Sequence, residues 1–310
     1  MNYLLLYKGY TDTVHDFRQS FFDEFKKQCN INYHDFGVRA HRRITCLDDI
    51  IAMSCNRIVP DVIILFTIGK CGNIVGLEDF KGLVVLYECD SEAYPAKIHN
   101  YLNTYKNIRL LTLEFEDSNN YQVDHRMWLP PAITADDYDR GLEREYEFSH
   151  CGNYSMYKSW HKNRVNFMKH IYPKLTLPDI MIKGECLEEI DKISDPIRTS
   201  SELSIFANKS KIMMAFPTKW NWLTHQYFYP TANMALTIGV KPRGFDKHMS
   251  DDCLVQVRAD YSDLKEKVDY YLDNPSERLD RVISGYQYIQ RNHSCQKRVS
   301  DLLKKIEEIV

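Results

Sequence analysis

Over the first 115 residues, short apolar runs alternate with stretches whose apolar positions recur at helical spacing. NYLLLY (2–7), DVIILFTI (61–68), GLVVLYECD (82–90) and NIRLLTLEF (107–115) have the length and near-continuous apolarity of buried parallel strands. Between them, HDFRQSFFDEFKKQC (15–29) puts Phe17, Phe21, Phe22 and Phe25 on one helical face. DDIIAMSCNRI (48–58), started by Asp48 or Asp49, and AYPAKIHNYLNTY (93–105) read as further helices. Parallel strands need a crossover and a helix is the economical one, so this rhythm predicts an α/β fold with a parallel sheet.

The rhythm breaks at MWLPPAITADDYDRGLEREYEF (127–148), where Pro130–Pro131 continues neither a helix nor a central strand. The charged stretch after it reads as a linker, which places a domain boundary near 140. Beyond it the pattern predicts strands at 146–152, 179–185, 211–216 and 252–258, and helices at 160–172 and 201–210. TANMALTIG (231–239) reads as helical, and 270–303 as a helix, a break and two more helical runs. The expectation is two doubly wound, Rossmann-like domains, 1–140 and 141–292, facing a cleft beyond the carboxyl ends of their strands, and a terminal helix over 293–310.

Composition narrows the functions. A formal net charge of −3 gives no global pull toward nucleic acid or an anionic membrane. No run of 18 apolar residues exists, and the opening MNYLLLYKGYTD is expected to be a first strand rather than a signal peptide. Nine dispersed cysteines without a CxxC pair fit reduced thiols in the cytoplasm. The P-loop, GxGxxG and GxSxG patterns are absent, and DDYD (136–139), though it looks like a metal-binding DxD, falls in the linker.

The ending carries a resemblance. YSDLKEKVDYYLDNPSERLDRVISGYQYIQRNHSCQKRVSDLLKKIEE resembles the C-terminus of the glycosyltransferase group 1 families, especially the CgeB-like (spore maturation protein) group. Asp263–Leu264, Tyr271–Leu272, Asn274–Pro275, Glu277–Arg278, Gly285, His293–Ser294 and Arg298 occupy matching places. LVVLYECDSEAYP, MWLPPAIT, FSHCGNYSMYKSWHKNRVNFMKHI, SELSIFANKSKIMMAF and ANMALTIGVKP resemble further elements in the family's order. The resemblance implies a GT-B fold, in which the last helix crosses back to the N-terminal domain. One departure stands out: the family's glutamate before "MA…G" is replaced by Thr231, Ala232 and Asn233, which offer no carboxylate to a ribose.

The implied chemistry is transfer of a sugar from a nucleotide-diphosphate donor to a hydroxyl acceptor, without a metal or other cofactor. A metal-independent site answers the diphosphate with backbone N–H groups and with Lys or Arg. Gly152, Lys158, Lys162 and Arg164 supply a glycine after a strand and cations entering a helix; Lys183 ends a strand where a base would rest. Lys209 and Lys211 are expected near the leaving group, and Thr231 or Asn233 near the ribose. On the acceptor side stand Gly9, Thr11 and Glu92, with His15 and Asp90 as candidate bases. Read without the resemblance, Thr11 or Asp12 and Asp90 or Ser91 are helix N-caps, His15 a surface residue and the lysines solvated strand ends. Two other functions stay open: a DNA-base glycosyltransferase of phage type, with GVRAHRR (37–43) at its rim, and a non-catalytic scaffold on the same frame.

Overall fold

The computed structural model describes residues 1–7, 17–36, 45–66, 73–88, 95–113, 121–152, 162–177, 180–183, 193–194, 197 and 199–310. The described chain forms two compact units. The first holds the described residues of 21–130 with the initial strand and Arg298–Val310; the second holds residues 17–20 and the described residues of Pro131–Lys297.

In the first unit, β1 (Asn2–Tyr7) is followed by α1 (Phe17–Gln28), β2 (Asn30–Asp35), β3 (Thr45–Cys46), α2 (Leu47–Ser54), β4 (Val62–Phe66) and β5 (Ile74–Val75). Then come β6 (Leu83–Glu88), α3 (Pro95–Thr104), β7 (Ile108–Leu113) and β8 (His125–Trp128). Six strands form one parallel sheet in the order β2-β1-β4-β6-β7-β8, while β3 and β5 pair separately. The central strands β4 and β6 are buried at every residue, as their unbroken apolar runs require when helices cover both sheet faces. On one face Leu4, Leu6, Ile63 and Leu65 pack with Ile50 of α2 and Ile98 of α3. Toward the other, Phe21 and Phe22 of α1 meet Tyr87 and Phe66, whose rings stack on each other at 4.6 Å.

The edge strands β2 and β8 escaped the sequence reading for a physical reason. NINYHD is exposed or half-buried throughout, so it carries no apolar run, and HRMW is only four residues long.

The second unit contains β9 (Tyr146–Cys151), α4 (Lys162–Asn166), β10 (Ile180–Lys183), β11 (Ile193–Ser194), α5 (Ser200–Asn208), β12 (Ser210–Ala215), α6 (Tyr229–Ala232) and β13 (Leu236–Val240). It continues with α7 (Phe245–His248), β14 (Val255–Val257), α8 (Leu264–Asp273), α9 (Pro275–Asn292) and α10 (Cys295–Glu307), the last running on into the first unit. Its sheet is also parallel, in the order β11-β10-β9-β12-β13-β14.

Two expectations are corrected here. The helix at 160–172 passes from α4 into a π turn (Phe167–Ile171) and a 3-10 turn holding Pro173, whose ring ends the run. TANMALTIG is not one helix: Met234 takes a φ of 60°, which stops α6 and lets the β-branched LTIGV form β13.

The family-like ending turns out to be made of structural joints. Pro275 occupies the first turn of α9, where its missing N–H costs nothing. Arg278 Nη1 donates to the Tyr271 carbonyl at 2.6 Å. A Cβ on Gly285 would lie 2.8 Å from Thr231 Cγ2 and 3.0 Å from the Asp252 carbonyl, so α9 approaches α6 only with a glycine there. His293 is buried and bonds the His248 carbonyl through Nε2 at 2.7 Å, while its own carbonyl accepts from Ile133 N at 2.9 Å. In the first unit, buried Arg298 donates from Nε to the Pro130 carbonyl at 2.8 Å, and Ser300 donates to Gln28 of α1 at 3.2 Å.

Candidate active site

In the second unit the strand order reverses beside β9. The chain runs outward through β10 and β11, then crosses back to place β12 on the other side of β9. The carboxyl ends of β9 and β12 therefore flank a topological switch point, the place where an open α/β sheet leaves a crevice for a ligand.

Side chains in YEFSHC alternate, so Phe148, His150 and Gly152 address the same side of the strand. His150 is fully buried, and its Nδ1 lies 2.7 Å from the Met214 carbonyl of β12. A carbonyl only accepts, so this contact puts the proton of the neutral ring on Nδ1 and leaves Nε2 on the opposite edge. The Phe216 ring packs edge-on against the imidazole at 4.8 Å.

Gln226 bridges the two strand ends: Oε1 accepts from Phe216 N at 3.4 Å, and Nε2 donates to the Cys151 carbonyl at 3.3 Å. Tyr229 Oη donates to the same carbonyl at 3.4 Å, and Gly152 N donates to the Lys183 carbonyl at 3.0 Å. Asn163 of α4 donates to the Pro217 carbonyl at 3.3 Å, tying the start of that helix to the loop after β12.

These contacts converge on Gly152. A Cβ built there would lie 2.6 Å from Arg164 Nη1, 2.8 Å from His150 Nε2 and 3.0 Å from Gln226 Nε2. The site is thus three side-chain nitrogens drawn close around a glycine, with Arg164 only 7% exposed. Burial pushes the Cys151 thiol up to about 12, and the charges of Arg164 and Lys183 oppose that rise, so both cations act at this strand end. The arrangement is suited to holding a compact anion against one fixed guanidinium, a second cation and orientable donors.

Of the residues singled out in the sequence, the structure brings Arg164 to Gly152, while Lys183 ends the neighbouring strand in register with Cys151 and bonds Gly152 through its backbone carbonyl. Gly9, Thr11, His15, Asp90, Glu92 and Lys158 lie outside the described residues. Glu88, from the same acidic run as Asp90, ends β6 with only 2% exposure.

Lys209 and Lys211 are a correction. They stand at the amino end of β12, across the strand's length from the switch point, where Lys209 pairs with Glu145 at 2.7 Å and Lys211 with Glu147 at 3.2 Å. Thr231 and Asn233 are a second. Both side chains are buried in internal hydrogen bonds: Thr231 Oγ1 with Thr237 Oγ1 at 2.8 Å, and Asn233 with Asp137, Tyr229, Ser204 and Asn208. Asp137 of DDYD is part of that network and is itself buried. Lys209→Ala and Lys211→Ala are accordingly expected to leave nucleotide affinity within about twofold of wild type in a binding titration, since each removes only an exposed surface pair.

The sequence reading missed His150 and Gln226. His150 was legible in principle, because it shares the alternating face of Gly152; nothing local marks Gln226, whose role depends on the crossover from β10 to β12.

The model of a family described as Glycosyl transferase-like matches residues 142–304, more than half of the chain and all of this site. The chain belongs to the glycosyl transferase-like family. No curated protein sequence matches it. Among solved structures, an alpha-glucosyltransferase in complex with UDP and a 13-mer DNA containing an HMU base is 13% identical with a TM-score of 0.65, covering 98% of this chain and 99% of that one. Sucrose-phosphate synthase from Thermosynechococcus elongatus is 8% identical with a TM-score of 0.65, covering 100% and 99%. The pneumococcal O-GlcNAc transferase GtfA, in complex with UDP and GlcNAc, is 14% identical with a TM-score of 0.51; 80% of this chain is covered, but only 56% of GtfA. This glycosyl transferase-like chain thus has the α/β fold of GT-B glycosyltransferases, with parallel sheets and no closed barrel. No helix among the described residues is long and apolar enough to cross a membrane.

Proposed function

We propose that the protein is a glycosyltransferase that moves a sugar from a nucleotide-diphosphate donor to a hydroxyl acceptor, and that the donor's diphosphate binds at the Gly152 strand end of the second unit. The observation that carries this reading is the convergence of Arg164, His150 and Gln226 on a glycine at the switch point, with Lys183 beside it. Family membership supports the reaction class, and relatives of the fold whose complexes hold UDP support the donor class.

Arg164 and Lys183 answer the diphosphate charge, so catalysis proceeds without a metal or other cofactor. The acceptor is taken by the first unit, whose β1 and β6 run toward the candidate residues at 9–15 and 88–92. Within the family the CgeB-like group fits the C-terminal motif best, and the protein works in the cytoplasm.

The test is a thermal-shift screen against UDP, GDP, ADP, CDP and TDP, each with magnesium and with EDTA. Stabilisation by one of them, equal in both conditions, is the expected result. No stabilisation at millimolar concentration by any of the five overturns the donor reading, and stabilisation only with magnesium overturns the metal-free one.

A further inference from the structure

We propose that a groove between α9 and the turn at 250–252 is a second binding site of the second unit, and that it takes an uncharged saccharide. The groove shares no residue with the candidate active site, and its ligand class is read from its own lining.

The groove holds about 450 Å³, inside the range of sites for small organic ligands and far more than a water or an ion needs. One wall is a stripe of α9. Ser284, Gln287, Tyr288 and Arg291 recur at i, i+3, i+4 and i+7, so they share a face, and each carries a hydrogen-bonding group. The opposite wall is Ser250 and Asp252. Ser250 Oγ accepts from Asp252 N at 3.3 Å, which fixes the backbone that presents the Asp252 carboxylate. Joints outside the lining hold the two walls in place. Arg281 Nη2 donates to the Leu254 carbonyl at 2.8 Å and to the Asp251 carbonyl. Gly285, lacking a Cβ, lets α9 come against the Asp252 carbonyl. Tyr288 is itself pinned, its Oη donating to the His248 carbonyl at 3.1 Å. The groove is therefore built into the packing of α9.

Charge decides the ligand class. The lining carries one carboxylate, Asp252, and one guanidinium, Arg291, so it has no net attraction for an anion or a cation. Arg291 folds back on its own helix, donating from Nε to the Gln287 carbonyl at 3.0 Å and from Nη2 to Gln287 Oε1 at 3.2 Å. That leaves Arg291 Nη1 and Gln287 Nε2 as donors beside the carboxylate and the two serine hydroxyls. A phosphate or a polycarboxylate meets Asp252, and an ammonium meets Arg291. An apolar ligand strips water from these groups and returns no hydrogen bond. A hydroxyl both donates and accepts, so vicinal hydroxyls satisfy carboxylate, guanidinium, amide and serines together. The Tyr288 ring adds an amphipathic surface suited to the C–H face of a sugar ring. Asp252, Ser284, Gln287 and Arg291 are exposed, so binding is weak, with a Kd on the order of 1 mM. On the transferase reading above, such a site gives an oligomeric glycan a second foothold on the protein.

The test is ligand-observed NMR and isothermal titration of the full chain with maltotriose, cellotriose and chitotriose, with triglycine as a zwitterionic control. The expected result is that at least one trisaccharide binds and triglycine does not. Ser284→Trp fills the groove from an exposed helical position. It is expected to weaken that trisaccharide by about tenfold or more, the loss of one charged hydrogen bond or greater, with an unchanged melting temperature. Arg291→Ala, expected to cost about three- to tenfold, decides the matter if the tryptophan variant does not fold. Trisaccharide binding that neither substitution weakens lies elsewhere on the protein and overturns the proposal. Binding of triglycine alone, or of no probe at tens of millimolar, overturns it as well. The nucleotide screen described above reports separately on the donor site: its failure removes the donor reading and leaves the groove standing.

Discussion

Arg164→Ala is expected to lower kcat/KM for the sugar nucleotide by about 10²–10³-fold, the cost of removing one fixed donor from a site that stabilises developing negative charge. The guanidinium is almost wholly buried and its Nη1 lies 2.6 Å from the Gly152 Cβ position, so neither water nor a neighbouring lysine takes its place. Arg164→Lys is expected to recover only part of the loss. A lysine supplies the charge without the planar fork, and its ammonium is more strongly hydrated than a guanidinium and costs more to bury. Steady-state kinetics with the donor varied, alongside melting curves for each variant, separate the lost contact from lost fold. A substitution that leaves kcat/KM within about twofold, in a protein that melts normally, removes Arg164 from the site and takes the diphosphate with it.

Gly152 explains why part of this site was legible beforehand and part was not. A glycine directly after a strand, followed by cations entering a helix, is a local pattern with a local cause, and it led to Gly152 and Arg164. Lys209 and Lys211 are a different case. They neighbour a strand that does end at the site, but they sit at its amino end, where the predicted strand at 211–216 already put them; their place near the leaving group came from the resemblance alone. His150 and Gln226 belong to the other kind of information. They meet only because β12 crosses back beside β9, a topology that no spacing within either segment encodes.

The fold divides along the same line. Unbroken apolar runs such as VIILF and LVVLYE identified the buried central strands, whereas the half-exposed edge strand NINYHD did not stand out. The motif at the C-terminus was visible as a resemblance, but its residues do the work of joints: Gly285 lets α9 approach α6, and His293 and Arg298 bond the backbone at His248 and Pro130.

Asn233 puts the sharpest conflict between the two sources to a test. By resemblance it stands where a ribose-binding carboxylate is expected, and on that reading Asn233→Asp improves the site. The structure gives it a different task. Its Nδ2 donates to Asp137 Oδ1 at 2.9 Å and to the Tyr229 carbonyl at 2.7 Å; its Oδ1 accepts from Ser204 Oγ at 2.5 Å and from Asn208 Nδ2 at 3.0 Å. Asp137 also accepts from Thr134, through the backbone N–H at 2.8 Å and the hydroxyl at 3.1 Å, and its charge acts on His225. Asn233→Ala strips four hydrogen bonds from groups that water cannot reach. The expected cost is about 3 kcal/mol, read as a melting temperature lower by roughly 6–12 °C. Asn233→Asp is expected to be worse. It sets a second carboxylate against Asp137 at hydrogen-bond distance, with two acceptors facing each other in a dry interior. Melting curves and nucleotide titrations on the two variants decide the matter, because the two readings predict opposite orders. A fold-first role gives wild type, then alanine, then aspartate in stability; a ribose partner gives aspartate the tightest nucleotide binding of the three, with all three melting alike.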